Sequence, residues 1–191
     1  MGANTPAQSK ELYELVHQYQ PDCMVSGRLG NDWYDFCVMA DNDYPDKTLH
    51  APWQSAASMF DETWGYRAWQ DRGCIENKVR EKTRSLINVV SRGGNYLLNI
   101  GPKGNGAVVD FEKEVLEQVG DWLSRYGYAV YQTEASPFQE EFTWGEVTRK
   151  DNHLYLFLSG KYPDRWKNHP ANARLSSAER RRENGYLPAI W

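Results

Sequence analysis

The segment Ser91-Arg92-Gly93-Gly94-Asn95-Tyr96-Leu97-Leu98-Asn99-Ile100-Gly101-Pro102 constrains this chain more than any other. A helical pattern runs into two glycines and a short apolar run follows. A second glycine cluster, Gly101-Pro102-Lys103-Gly104-Asn105-Gly106, then leads into another helical pattern. Helix, strand, glycine-rich loop and helix in that order predict an α/β protein with a parallel sheet. Asn95 and Asn99 bracket the strand, where their amides are available for hydrogen bonds to the loops.

The surrounding pattern extends this reading in both directions. Thr5-Pro6-Ala7-Gln8 has the form of a capping box with proline at the first helical position. Leu12, Leu15, Val16 and Tyr19 then share a face, so a helix is expected to about Gln20, where Pro21 stops it. Cys23 to Ser26 is a short strand candidate. From Gly27 to about Asn77 the chain is irregular and rich in Trp, Tyr, Asp and Pro. Loops of that length are functional or conceal short elements. A strand near Phe36 to Met39 and a one- or two-turn helix near Ala56 are expected within it. Asn77 is the expected cap of the next helix, with Val79, Thr83, Leu86, Ile87 and Val90 inward and Gly93-Gly94 at its end. Asp110 is the expected cap of a further helix with Phe111, Val115, Leu116, Val119, Trp122 and Leu123 as its apolar stripe. The pattern changes after Tyr131. Glu146 to Thr148 and Leu154 to Leu158 flank an Asp151-Asn152 turn and predict a hairpin. A domain boundary is expected near Thr133, and a charged, frayed tail from Lys167.

Composition narrows the functional classes. Hydrophobic residues make up 40% and charged residues 25% of 191, which predicts a folded globular protein. The net charge of −4 with no basic half argues against a nucleic-acid partner, whose affinity depends on phosphate neutralisation. No apolar run is long enough to predict a membrane span. Three scattered cysteines, Cys23, Cys37 and Cys74, support neither a zinc ribbon nor a disulfide scaffold. The four histidines do not cluster, so neither a metal nor a cofactor is expected. Eight Trp and twelve Tyr are the unusual component. Such rings either build the core or pack on the C–H faces of sugars.

Three local features carry candidate chemistry. Gly101 to Gly106 stands where phosphate-binding loops stand, but its spacing is not that of a nucleotide loop, and Pro102 removes one backbone N–H. A tight strand-to-helix connection is the plainer reading. Asp41-Asn42-Asp43-Tyr44-Pro45-Asp46 offers a calcium loop without the EF-hand's Gly and Glu, a solvated turn, or a general acid near aromatic neighbours. Arg28 lies between Gly27 and Gly30 just past a predicted strand. It is either a salt-bridge partner or a substrate group on the rim of a (β/α)8 barrel.

Taken in order, these motifs resemble glycoside hydrolase family 29, the retaining α-L-fucosidases. The resemblance runs from Leu12-Tyr13-Glu14-Leu15-Val16 and Gln20-Pro21-Asp22 through Gly27-Arg28-Leu29-Gly30-Asn31 and Thr63-Trp64-Gly65-Tyr66. It continues through Ser91 to Pro102, Gly120-Asp121-Trp122-Leu123 and Tyr131-Gln132-Thr133. It implies the C-terminal half of a (β/α)8 barrel over residues 1–133. The first strands of an antiparallel β-sandwich would occupy residues 134–166 and an irregular tail residues 167–191. The implied partner is a fucosylated glycan, and the implied reaction is release of L-fucose by double displacement between two carboxylic acids. Arg28 matches the family's substrate-site arginine. Trp64 matches the aromatic wall against the fucose methyl, and Trp53 is the candidate wall on the leaving-group side. Asp43 and then Asp41 are the candidates for the acid/base, Ala40 being the alternative alignment that would leave the acid absent. The family's nucleophilic Asp precedes the helix that begins here near Gln8, and no Trp-x-Asp match stands there. A fragment of a longer enzyme is therefore expected, catalytically inactive alone, with a non-catalytic carbohydrate-binding remnant as the alternative.

Overall fold

A computed structural model describes residues 4–49, 51–138 and 141–159. The chain forms α1 (Pro6–Tyr19), a 3₁₀ turn (Gly27–Leu29), β1 (Cys37–Val38), β2 (Trp53–Ser58), α2 (Ile75–Ser91), β3 (Asn95–Asn99) and α3 (Asp110–Tyr126). A second 3₁₀ turn (Gly127–Ala129) and the hairpin β4 (Gly145–Lys150) and β5 (His153–Leu158) follow. The expected tail at 167–191 lies outside the described residues.

The mixed α/β reading holds. β1, β2 and β3 form a parallel sheet in that order, and a single parallel bridge from Ser26 to Phe36 extends it by one more position. The Cys23 to Ser26 strand candidate is therefore reduced to that bridge. The register pairs Gln54 with Asn95 and Ser58 with Asn99. Side chains alternate along a strand, so Ser55, Ala57, Tyr96 and Leu98 share one face while Gln54, Ala56, Ser58, Leu97 and Asn99 share the other. The first face is covered by helices: Leu98 and Ile100 pack with Phe111, Val115, Leu116 and Val119 of α3 and with Met59 and Phe60.

β2 corrects the helix expected near Ala56. Trp53–Ser58 lies between β1 and β3, so its amides and carbonyls are claimed from both sides. That pairing overrides the weak helix preference of a Ser-Ala-Ala-Ser run. The small side chains suit a strand whose residues are almost all buried.

α1 begins as its capping box dictates. Gln8 N donates to Thr5 Oγ1 and Thr5 N donates to Gln8 Oε1. The buried Ser9 donates to the Leu29 carbonyl and anchors the helix beside the first 3₁₀ turn. α2 starts at Ile75, two residues before the expected cap. Cys74 takes the cap position without capping an amide, its Sγ donating instead to the Glu76 carboxylate, and Asn77 falls inside the first turn. α3 starts at Asp110, with Val109 rather than Asp110 at the cap. Gly93 adopts φ +79° after α2, as the exit from a helix requires.

The hairpin turns at Asp151-Asn152 and pairs antiparallel from Gly145↔Leu158 to Lys150↔His153. It packs on the helices rather than standing apart. Phe157 shares a buried cluster with Ile87, Ala129 and Val130. Thr148 Oγ1 donates to the Ala129 carbonyl, and Arg92 pairs with Glu146 at 3.0 Å. Packing thus runs continuously across the expected boundary at Thr133.

Candidate functional site

Parallel strands send all their C-terminal ends to one edge of the sheet, and in α/β folds ligands collect there. The segments that leave this edge are Gly27–Leu29 beyond the Ser26 bridge, the loop from Met39 beyond β1, the loop from Met59 beyond β2, and Ile100-Gly101 beyond β3. Each is tied to its neighbour. Ser26 Oγ accepts from Arg28 N at 3.2 Å and sets the first turn. Arg28 Nη2 then reaches Asp41 Oδ1 at 2.6 Å. Asn42, at φ +58°, accepts through Oδ1 from Ser58 N at 2.7 Å, and Ser58 Oγ donates to the Phe60 carbonyl. Asn99 Nδ2 donates to the Trp64 carbonyl at 2.7 Å. Gly101 lies so close to Gly65 and Tyr66 that a Cβ on it would fall 2.8 Å from the Gly65 carbonyl carbon.

This edge brings together Arg28, Asp41 and the loop of Trp64. The two charged side chains are 60% and 52% exposed, so their pairing is worth about 0–1 kcal/mol and leaves both free to meet a ligand. Trp64 is 38% exposed. Asp43 is turned differently: its Oδ1 accepts from Tyr44 N at 2.8 Å, and its carbonyl accepts from Ser55, on the helix-covered face. Behind that loop a cleft of about 220 Å³ is lined by Asn42, Tyr44, Asp61, Lys82 and Tyr96. Burial there pushes the Tyr96 hydroxyl well above its usual range.

Trp53 is not at this edge. It is the first residue of β2, at the opposite end of the sheet. It is 2% exposed, its Nε1 donates to the Arg92 carbonyl, and its ring fills the space over Gly94. An indole so enclosed is a core residue, which corrects the expected sugar-lining role.

The other candidate loops resolve by their hydrogen bonds. Gly101 N donates to the carboxylate of Glu112, which is 3% exposed, so a side chain of the protein already occupies an amide that a phosphate would need. Lys103 N then donates to the Ala107 carbonyl and closes a turn. In the acidic loop, Asp41, Asn42 and Asp43 each point at a different partner. Among the described residues no group of three or more His, Cys, Asp or Glu could hold a metal ion, and no helix is long and apolar enough to cross a membrane.

One feature escaped the sequence reading. Trp33-Tyr34-Asp35 also spells Trp-x-Asp, but Asp35 precedes β1, away from the edge. Its carboxylate accepts from Tyr13 Oη at 2.6 Å and from Val25 N at 2.6 Å, and it meets His17 Nε2 at 3.2 Å. The Tyr13 hydroxyl, then the Val25 amide, outweigh burial and hold the carboxyl below its ordinary range. Asp35 fastens α1 to the sheet. Only the i, i+4 placement of Tyr13 and His17 on one helical face hinted at this.

The family model for alpha-L-fucosidases matches residues 2–128. The chain belongs to the alpha-L-fucosidase family. Tissue alpha-L-fucosidase of Bos taurus is 30% identical over an alignment of 185 positions that covers 78% of this chain and 39% of that protein. The alpha-L-fucosidase structure from Vibrio sp. strain EJY3 superposes with a TM-score of 0.73 at 31% identity, covering 80% of this chain and 27% of that one. The Thermotoga maritima alpha-fucosidase superposes with a TM-score of 0.64 at 28% identity, covering 78% of this chain and 34% of that one. The chain thus spans about two fifths of the curated fucosidase it matches.

Proposed function

We propose that this chain is part of a retaining α-L-fucosidase and that the C-terminal edge of its sheet binds L-fucose. In this reading residues 1–133 are half of a catalytic (β/α)8 barrel and residues 134–166 are the first strands of a β-sandwich. The parallel order β1-β2-β3, with α2 as the crossover from β2 to β3 and α3 packed after β3, supports the first part. The antiparallel β4-β5 pair supports the second. The observation that carries the site is the hydrogen-bonded succession along one edge: Arg28 to Asp41, Asn42 to Ser58, Asn99 to the Trp64 loop. The Thermotoga maritima relative, whose structure is a complex with fucose, supports the choice of sugar.

Each residue has a role that its chemistry suits. Arg28 donates to ring hydroxyls. Trp64 offers an apolar wall, which a 6-deoxysugar needs because its C5 carries a methyl rather than a hydroxymethyl group. Asp41 replaces Asp43 as first candidate for the acid/base, because it faces Arg28 while Asp43 is turned to Tyr44 N. In double displacement, an Asp nucleophile attacks the anomeric carbon while the acid/base protonates the departing oxygen. The acid/base then takes a proton from the water that breaks the glycosyl–enzyme ester.

Saturation-transfer NMR with L-fucose tests the reading. The expected result is saturation of the fucose methyl, lost several-fold in Trp64→Ala. Absence of any saturation on fucose would overturn the site.

A further inference from the structure

The glycine-rich loop over residues 101–106 joins β3 to α3, and neither a phosphate nor the sugar site uses its outer turn. That turn holds the dipeptide Asn105-Gly106. The same dipeptide recurs as Asn184-Gly185, outside the described residues. The side-chain amide carbon of an asparagine can close a five-membered ring with the backbone nitrogen of the next residue. A glycine there removes the β-carbon that would crowd the closure.

The turn favours this closure in three ways. Ala107 N donates to Asn105 Oδ1 at 3.1 Å. A bond of this kind folds the side chain back over its own backbone, and it carries the amide carbon across the peptide nitrogen that lies between, the one of Gly106. The same N–H is aimed at the oxygen on which negative charge develops when a nitrogen adds to that carbon. Gly106 has φ +82°, and nothing stands within 4 Å of the position a Cβ would take, so the nitrogen is unshielded. Asn105, Gly106 and Ala107 are all exposed, and water reaches them. One bond opposes the closure. Gly106 N donates to the Lys103 carbonyl at 2.8 Å and must let go before it can lose its proton. Lys103 N donates to the Ala107 carbonyl at 2.9 Å and keeps the turn shaped while that happens.

We infer that Asn105 is a site of self-modification, at which the chain converts its own side-chain amide to an acid. The Gly106 nitrogen gives its proton to solvent and attacks Asn105 Cγ. The new N–Cγ bond forms, the Cγ–Nδ2 bond breaks, and Nδ2 takes a proton from solvent and leaves as ammonia. Water then opens the imide at either carbonyl carbon. Opening at Cγ restores the ordinary backbone with an aspartate side chain. Opening at the main-chain carbon leaves the chain running through the side chain as isoaspartate. Nothing is oxidised or reduced. The aspartate product still accepts from Ala107 N, now through a carboxylate, so the turn survives with added negative charge. The isoaspartate product puts an extra carbon into the backbone, and the bonds Gly106 N to Lys103 O and Lys103 N to Ala107 O lose their register. No residue of the sugar site takes part, so the inference stands apart from the fucose reading.

The test is incubation of the full chain in mildly alkaline buffer, folded and in urea, with its peptides resolved by chromatography and mass spectrometry. Asn105 is expected to convert about tenfold faster or more than Asn152, an exposed turn asparagine followed by His153 rather than glycine. Conversion in the folded chain is expected to be at least as fast as in urea. Two products of equal mass, aspartate and isoaspartate, are expected at this position, and Asn105→Gln should give neither. Conversion no faster than at Asn152 would overturn the site. Conversion slower in the folded chain than in urea would also overturn it, because the bond to Lys103 would then guard the nitrogen. Aspartate without isoaspartate would mean direct hydrolysis and would overturn the ring closure.

Discussion

Replacing Gly101 by alanine tests the junction between β3 and the Trp64 loop. Gly101 is not in the left-handed region, so alanine brings no intrinsic backbone strain there. The cost is spatial. Its Cβ would lie 2.8 Å from Gly65 C, 2.9 Å from Tyr66 N and 3.1 Å from Gly65 O, where ordinary contact begins near 3.4 Å. All three atoms are backbone, so no side chain can swing aside. Either the Trp64 loop or the strand end must move by several tenths of an ångström, and the bonds from Asn99 to Trp64 O and from Gly101 N to Glu112 are strained together. Overpacking of this kind costs about 1–3 kcal/mol, and in a chain of this size each kcal/mol lowers Tm by about 2–4 °C. Gly104 is the internal control. It lies three residues on in the same loop with nothing within 4 Å of its Cβ and no positive φ. Gly104→Ala should therefore be neutral, or stabilising by about 0.4–1 kcal/mol through the unfolded chain. Thermal melts followed by circular dichroism, with urea titrations to give ΔG, compare the two variants directly. If Gly101→Ala were as stable as Gly104→Ala, the close approach of strand end and loop would be wrong, and with it the placing of Trp64 beside Asn99.

Three further outcomes follow from the packing and the charges. Phe157→Ala should cost about 3–5 kcal/mol in urea unfolding, because it empties the cluster with Ile87, Ala129 and Val130, whereas Leu156→Ala on the open face should stay within about 0.5 kcal/mol. Gly94→Ala drives a Cβ to 2.3 Å from the Trp53 ring and should cost about 1–3 kcal/mol by the same titration, with loss of the indole bond to Arg92. Asp35→Asn should lower Tm at neutral pH. The Asp35 carboxyl is held below its unfolded value, so its contribution is complete above about pH 5 and disappears as pH falls through the folded value. Melts at pH 7 and pH 3 should therefore show the gap between wild type and Asp35→Asn closing at the lower pH.

What could be read from the residues depended on how local their causes were. The capping box at Thr5 and Gln8, the turn at Asp151-Asn152 and the stripe from Phe111 to Leu123 are set by neighbours in sequence, and all three stand in the structure. β2 has no such signature. Ser55-Ala56-Ala57-Ser58 carries no β-branched side chain and no alternation, because both faces are covered and both edges paired. Its identity as a strand comes from β1 and β3, a cause that lies 16 and 41 residues away in the register Cys37↔Trp53 and Ser55↔Tyr96 with no trace in the segment itself. The difference between Asp41 and Asp43 was not legible in the sequence for a related reason. Two carboxylates one residue apart are equivalent in a string of letters, and the positive φ of Asn42 between them turns one toward Arg28 and the other toward Tyr44 N.

The two tryptophans show how one missed element propagates into chemistry. Trp53 and Trp64 are both aromatic, both in the irregular region, and both near residues that resemble a sugar site. Nothing in their immediate neighbours separates them. The strand does. In a parallel sheet with helical crossovers every strand points the same way, so a residue that opens β2 lies at the opposite edge from a residue in the loop after it. Trp53 opens β2 and is sealed over Gly94, whereas Trp64 follows β2 and meets Asn99 at the far edge. With a helix at Ala56, strand direction is undefined and both rings stay candidates. With a strand there, direction alone assigns one to the core and the other to the C-terminal edge of the sheet. The same logic predicts the result that separates the two rings: Trp53→Phe should weaken the fold without changing which sugar protons are saturated, whereas Trp64→Ala should change the saturated protons and leave the fold intact.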